Sequence, residues 1–249
     1  MKVIIIAAGS STRLAKETSD IPKGLLKIND MSIIEIQLEL FQKNQLSDIT
    51  IITGAYKQKF KLKNVHYIQD YEFQDHDVLG SLMAAKSIIN DDILTSYSDI
   101  IFEEKILKSM TEFSGDVGIA VDLDWEKNYV NRDQHPKSEA DNVLINGNKI
   151  LEIRKNILEC KKNEKIGEFL GLMKLSKKGS SMFLEKYSEL EMSHKGKFHS
   201  APSLEKAYLT DMLQELIDSG IRISPIYISG KWYEIDTPQD LDIARKLFD

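Results

Sequence analysis

The sequence predicts an α/β fold: a Rossmann-like sheet, mixed but mostly parallel, with helices on both faces. Three observations lead there. Short β-branched runs alternate with amphipathic stretches through the first half of the chain. The first run, Val3-Ile4-Ile5-Ile6, empties into a loop of small residues, Ala7-Ala8-Gly9-Ser10-Ser11-Thr12. Two later runs end in aspartates, Asp99 and Asp122. Sheets of this kind bind ligands beyond the carboxyl ends of their strands, so chemistry is expected at these three ends.

The elements follow in order. Ser32 to Asn44 carries Ile33, Ile34, Leu38 and Phe41 at helical spacing. Strands are expected at 49–53, closed by Gly54, and at 65–68. A helix is expected over 80–89, with strands at 93–97 and 117–121. Residues 125–140 are polar, contain Pro136 and read as a loop. Strands 143–145 and 149–153 flank Asn146-Gly147-Asn148, a hairpin turn. Another strand spans 168–175, and a helix spans 204–219, closed by Gly220. Pro225 makes 223–228 an edge strand. Thr237 as N-cap and Pro238 at the first position open a last helix. Neither repeat nor linker interrupts the 249 residues. One domain is expected over 1–249, with a nucleotide-binding half at 1–121 and a substrate and metal half, carrying an inserted substrate lobe, at 122–249.

Composition narrows the function classes. A hydrophobic share of 42% supports a real core, and a net charge of −6 argues against a nucleic-acid partner. The single cysteine, Cys160, excludes an internal disulfide framework and a cysteine-rich zinc site. No signal-peptide pattern and no run of membrane-spanning length appears, so a cytoplasmic chain is expected, with no membrane partner. The numbers leave a homodimer open.

The small-residue loop offers closely spaced N–H groups with little side-chain bulk, which suits an anionic triphosphate. Arg13 and Lys23 add a forked and a compact cation. The loop is neither a Walker A sequence nor a dinucleotide fingerprint. Alone it also fits an ordinary turn. Asp99 and Asp236 can hold a divalent cation, since Mg²⁺ needs only one or two protein carboxylates. On chemistry alone Asp99 fits a turn equally well, and Asp236 a helix cap.

The whole string resembles the signature of the nucleotidyltransferase superfamily, carried here by Ala7-Ala8-Gly9, Arg13 and Pro22-Lys23. Members join a phosphorylated small molecule to a nucleoside triphosphate and release pyrophosphate. The resemblance implies the sheet of the nucleotide-diphospho-sugar transferase type. It implies nucleotide contacts from Ala7, Ala8, Gly9, Ser10, Ser11, Thr12 and Ser81. It also implies a Mg²⁺ cofactor on Asp99 and on Asp236 of Glu234-Ile235-Asp236-Thr237. Ser98 stands where the family usually has Gly, and His76 where it often has Asn.

The middle of the chain looks like one branch, the bacterial phosphocholine and phosphonate cytidylyltransferases, some fused to phosphoenolpyruvate mutase. The residues are Asp122-Leu123-Asp124-Trp125, Tyr129, Arg132, His135-Pro136, Ser138-Glu139-Ala140 and Gly167 to Leu172. The likeness spans nearly the whole chain and is weakest at 155–166 and 187–203. The expected reaction is attack of a small phosphomonoester or phosphonate, such as 2-aminoethylphosphonate, 2-hydroxyethylphosphonate or phosphocholine, on the α-phosphorus of CTP. Arg13 is expected to steady the leaving phosphates and Lys23 to bridge the α-phosphate and the attacking group. Asp122, Asp124, Glu139 and Glu168 are candidates for an amine or hydroxyl of the substrate. Arg132, Arg154 and Lys155 are candidates for its phosphorus group, and Trp125 for a quaternary ammonium. Two alternatives remain: a sugar-1-phosphate nucleotidylyltransferase using UTP or dTTP, and a glycosyltransferase using Asp122-Leu123-Asp124.

Overall fold

A computed structural model describes residues 1–9, 14 and 21–248. Ser10, Ser11, Thr12 and Arg13 lie outside the described residues. The strands are β1 (Lys2–Ala7), β2 (Lys27–Ile28), β3 (Met31–Ser32), β4 (Ile49–Thr53), β5 (His66–Gln69), β6 (Ile93–Tyr97), β7 (Ile100–Phe102) and β8 (Val117–Asp122). They continue with β9 (Asp141–Asn146), β10 (Lys149–Lys155), β11 (Glu164–Leu175), β12 (Ser224–Tyr227) and β13 (Trp232–Glu234). The helices are α1 (Ile33–Lys43), α2 (Val78–Met83), α3 (Glu104–Glu112), α4 (Lys177–Ser193), α5 (Leu209–Asp218) and α6 (Pro238–Leu247).

A nine-stranded sheet runs in the order β10-β9-β11-β6-β1-β4-β5, with β8 paired to β11 and β12 to β8. β1 is parallel to both β4 and β6, and β5 is parallel to β4. β11 turns the sheet antiparallel: it pairs β9 along Glu164–Glu168, β6 along Leu172–Leu175, and β8. Strand alternation sends Ile4 and Ile6 to one face, into a core with Leu79 and Leu82 of α2, Phe183 of α4 and Met212 of α5. Val3 and Ile5 face the other way, into a core with Ile34, Leu38 and Phe41 of α1 and Ile106 and Met110 of α3. Helices therefore cover both faces, as expected. The expected edge strand is β12, which among the described residues pairs β8 alone.

A third cluster packs Leu241 and Ala244 of α6 on Ile28, Ile33, Ile101, Tyr233 and Ile235. It brings the C-terminal helix to the carboxyl end of β6. The β7–β13 ladder sits in this cluster, with Ile100 opposite Glu234.

Some boundaries differ from the expected ones. The helix expected at 80–89 is α2, which starts at Val78 with Asp77 capping it, stops at Met83, and is followed by a 3-10 turn at Lys86–Ile88. The helix expected at 204–219 begins only at Leu209, because Asp211 Oδ2 accepts from the Tyr208 N–H and fixes the start there. The hairpin at Gly147 forms as expected, with Gly147 at φ 58. At Gly171 (φ 83) the β11 register slips against β8, and an added Cβ would lie 2.4 Å from the Tyr97 ring. That glycine lets Tyr97 pack at the end of β6, immediately before Ser98 and Asp99.

Candidate active site

Three strand ends converge on one cavity of about 380 Å³. β1 delivers Ala7, Ala8 and Gly9 to its wall. Gly54, just past β4, makes room for that turn: a Cβ there would sit 2.4 Å from the Ala8 carbonyl oxygen. β6 delivers Ser98 and Asp99, and β13 delivers Glu234 and Asp236. The Ile235 N–H donates to the Asp99 carbonyl at 2.9 Å, so the β7–β13 ladder itself holds Asp99 and Asp236 side by side.

Lys23 opens a 3-10 turn, Lys23–Leu25, and reaches between these two acids. Its Nζ lies 2.8 Å from Asp99 Oδ2 and also donates to Asp236 Oδ1. Burial alone would lower the Lys23 pKa, but the Asp99 and Asp236 carboxylates outweigh it and raise it, so the ammonium stays charged. Burial, with Asp236 and Asp99 nearby, pushes Glu234 well above the usual carboxylate range. His135 Nδ1 stands 3.3 Å from Asp236 Oδ2. The ligand atoms of His135, Glu234 and Asp236 lie within 4.8 Å of one another.

The residues fit a divalent cation. Asp99 Oδ1 is buried with no hydrogen-bond partner, although such oxygens are normally satisfied. The donors around it are mostly hard carboxylate oxygens, the chemistry that Mg²⁺ takes.

A further part of the cavity wall carries mixed charge: Asp77, Glu139, Asp141, Lys155 and Tyr208. Lys155 Nζ donates to Glu139 Oε2 at 2.7 Å. Burial raises the Asp141 carboxyl to about 6, partly countered by Lys155. Burial also raises Asp77, which caps α2 through its bond from the Val78 N–H. Ser81 lines the cavity and donates to Asp70 Oδ2 at 2.9 Å, and His76 Nδ1 stands 3.0 Å from the same carboxylate.

Of the sequence-derived candidates, Ala7, Ala8, Gly9, Lys23, Ser81, Asp99, Asp236, Glu139 and Lys155 line this cavity. Six substrate candidates do not: Asp122, Asp124, Trp125, Arg132, Arg154 and Glu168. Asp122 Oδ2 accepts from Trp232 Nε1 at 2.8 Å, and its Oδ1 accepts from the Asp124 N–H. The Asp124 carboxylate is exposed and pairs with Lys127. Arg132 is buried: Nε donates to Asp240 Oδ1 at 2.6 Å and Nη2 to the Glu234 carbonyl at 3.0 Å. Glu168 is buried against the Tyr129 hydroxyl, which donates to it at 2.5 Å. Arg154 bonds its own neighbour Glu152 at the surface, and Trp125 is covered by Lys137. The branch residues thus mostly build the wall behind the site rather than the site. Asp122 and Asp124 of the Asp122-Leu123-Asp124 string do not line this cavity: the first bonds the Trp232 indole and the second pairs with Lys127.

Asp77, Asp141 and Tyr208 were not among the candidates. Asp77 had a readable signal, an aspartate in N-cap position. Asp141 had a weaker one, since a strand extended by two residues puts it on the face opposite Asn142.

The sheet order, the small-residue loop and the lysine held between two aspartates at the carboxyl edge define the nucleotide-diphospho-sugar transferase class of fold. The chain belongs to the family of MobA-like NTP transferase domains, whose model matches residues 3–136. It is similar over its whole length to a CTP:phosphoglutamine cytidylyltransferase of Campylobacter jejuni, 24% identical over 256 residues that cover 98% of each chain. A choline-phosphate cytidylyltransferase of Streptococcus pneumoniae is 29% identical over 115 residues, 45% of this chain and 50% of that one. A bifunctional protein GlmU of Methanococcus maripaludis is 27% identical across 100% of this chain, which spans 54% of that protein. Among solved structures, the CTP:phosphocholine cytidylyltransferase of S. pneumoniae superposes with a TM-score of 0.76 at 20% identity, over 100% of this chain and 99% of that one. The inositol-1-phosphate CTP transferase of T. maritima gives 0.75 at 19% identity, over 100% and 96%. Among the described residues no helix is long and apolar enough to cross a membrane.

Proposed function

We propose that this chain is a cytidylyltransferase that moves CMP from CTP to a small phosphorylated or phosphonate acceptor and releases pyrophosphate. The observation that carries the reading is the Lys23 ammonium held between Asp99 and Asp236 at the strand ends. The choice of CTP is supported by the relatives, above all the one similar over 98% of both chains.

In this reading Asp99, whose buried Oδ1 has no hydrogen-bond partner, and Asp236 would hold Mg²⁺. The ion supplies charge neutralisation for the triphosphate when bound. The chain's own residues do the rest. Lys23 is a compact cation on a flexible stem, so it can leave the two carboxylates for the oxygens of the α-phosphorus and of the attacking group. Its interaction strengthens as charge shifts there, which lowers the barrier rather than the binding energy alone. The Ala7–Gly9 turn brings backbone close to the leaving phosphates, and Arg13 is assigned to them by sequence. The acceptor oxygen is already ionised at neutral pH, so no general base and no covalent enzyme intermediate is required.

Asp141 and the Lys155–Glu139 pair favour an acceptor with an amine or zwitterionic end, which supports phosphocholine, aminoalkylphosphonates or phosphoglutamine over neutral sugars. The test is a matrix of CTP, UTP, dTTP and ATP against phosphocholine, phosphoglutamine, 2-aminoethylphosphonate, 2-hydroxyethylphosphonate and glucose-1-phosphate, read as pyrophosphate release. Turnover confined to CTP with an aminated acceptor is expected. A preference for glucose-1-phosphate with UTP or dTTP would replace this reading with the sugar-nucleotide one.

A further inference from the structure

A second cavity, of about 510 Å³, shares no lining residue with the catalytic one. Two chain segments nevertheless serve both. In 137–142, Glu139 and Asp141 line the catalytic cavity, whereas Ser138 and Asn142 line the second. At the end of β10, Lys155 lines the first, and Asn156 and Ile157 line the second. Asp141 and Asn142 are successive residues of β9 and face opposite sides, so the two cavities stand back to back across that strand.

The second cavity contains a buried donor without an acceptor. Asn142 is 2% exposed. Its Oδ1 accepts from the Ile157 N–H at 3.2 Å, but its Nδ2 has no hydrogen-bond partner. Leaving such a group unmet is costly, and a ligand oxygen would meet it. Around it lie the buried Trp125 and Ile157 and the partly buried Ile166. Leu158, 84% exposed, and Leu123, 37% exposed, complete an apolar wall that stands open to water. The charged side chains of the wall neutralise one another: Lys127 pairs with Asp124 at 2.9 Å, and Lys137 with Glu126. A site with an apolar body, one committed amide donor and cancelled charges selects a neutral molecule.

We propose that this cavity is an effector site for a small neutral molecule bearing a carbonyl-type oxygen, and that its occupant adjusts the catalytic cavity through residues 137–142 and 155–157. The oxygen would accept from Asn142 Nδ2 while the apolar part lies against Ile166 and Leu158. Because Glu139, Asp141 and Lys155 ride on the shared segments, the effect falls on the acceptor and not on CTP.

ε-Caprolactam, a neutral ring with one carbonyl, serves as the probe, and 6-aminohexanoate, its ring-opened zwitterion, as the contrast. The side-chain amide signal of Asn142 in a ¹H–¹⁵N spectrum, assigned by its loss in Asn142→Asp, should shift saturably with the lactam and not with the zwitterion. The lactam should change the KM for the acceptor by roughly fivefold in the wild type. Asn142→Asp keeps the acceptor for the Ile157 N–H, and its turnover without lactam should be unchanged and insensitive to lactam. Ile166→Trp, which fills the cavity and leaves the Asn142 amide in place, should abolish the shift. A shift that grows linearly without saturating, an equal response to the zwitterion, or a saturable shift with no change in the acceptor KM would each overturn the proposal.

Discussion

Lys23 and Arg132 are two cations, the first partly buried and the second buried, that bond to the same stretch of chain, residues 234–240, and they are held in opposite ways. Lys23 touches Asp99 and Asp236, faces the cavity, and leaves Asp99 Oδ1 without a partner. Arg132 turns away from the cavity. Its fork takes Asp240 and the Glu234 carbonyl, and its plane stands 5.0 Å from the ring centroids of both Tyr129 and Tyr233. Asp240 in turn accepts from the Asp236 and Thr237 N–H groups. Burial would raise Asp240, but the adjacent His135 ring and the hydrogen-bonded Arg132 guanidinium hold it well below the usual carboxylate range. One cation's cluster includes a buried carboxylate oxygen without a hydrogen-bond partner, and the other's fork is taken by a carboxylate and a carbonyl. The first can exchange partners; the second holds Asp236 still while that happens.

The largest effects should come from breaking the first cluster. Asp99→Asn and Asp236→Asn are each expected to lower turnover at least roughly a hundredfold with the fold retained, the scale of losing one key electrostatic group. Circular dichroism and steady-state rates at limiting Mg²⁺ check both halves of that statement.

Arg132→Ala should act through stability first. Removing one partner of a buried pair leaves Asp240 uncompensated and should cost about 3–5 kcal/mol in denaturant unfolding. If activity falls while the midpoint of unfolding stays put, Arg132 touches substrate after all and the contrast with Lys23 disappears.

Glu168 sharpens the same contrast through pH. Burial lifts its carboxyl from 4.5 to about 8, with the Tyr129 hydroxyl pulling the other way. The unfolded chain releases that proton near 4.5, whereas the folded one keeps it to about 8. Stability contributed by this group therefore falls as pH rises between those values and changes little above them. Glu168→Gln should flatten that slope, gaining on the order of 3 kcal/mol over the wild type near the upper end, with no change in acceptor KM. Urea titrations across the window measure it.

Asp141 should matter only for the acceptor. As pH drops through about 6 its carboxyl takes a proton. The KM of an aminated acceptor should then rise several-fold, and Asp141→Asn should remove that rise. Asp124→Asn should move stability by no more than about 0.5 kcal/mol, since it is exposed and pairs with an exposed lysine.

Much of this was legible in the sequence, but unevenly. β1, β4, β6 and β8 are β-branched runs, and α1 carries its apolar stripe and its Ser32–Glu35 capping box in plain sight. Lys23, Asp99 and Asp236 stand in strings whose order along the chain matches their convergence in space. α4 was hidden, because its core contacts are spread over Phe183, Tyr187 and Leu190 in a serine- and lysine-rich stretch. β7 and β13, with three residues each, were too short to announce themselves, yet their ladder joins Asp99 to Asp236. Glu139 and Lys155 line the cavity, whereas the other substrate candidates lie outside it for a physical reason. Acids and arginines serve a buried scaffold and an open pocket equally well, and only the partners distinguish them. Asp122 has its indole, Arg132 its aspartate and Glu168 its tyrosine.

The most direct test of the central claim is the rate of pyrophosphate release from CTP by the wild type and by Lys23→Ala, with each substrate varied at saturating levels of the other. The wild type should release pyrophosphate only when CTP and an acceptor are both present. Lys23→Ala should lose at least roughly a hundredfold in kcat while the KM for CTP stays within about threefold. An unchanged kcat with only a raised KM, or release that needs no acceptor, would contradict the role given to the lysine between Asp99 and Asp236.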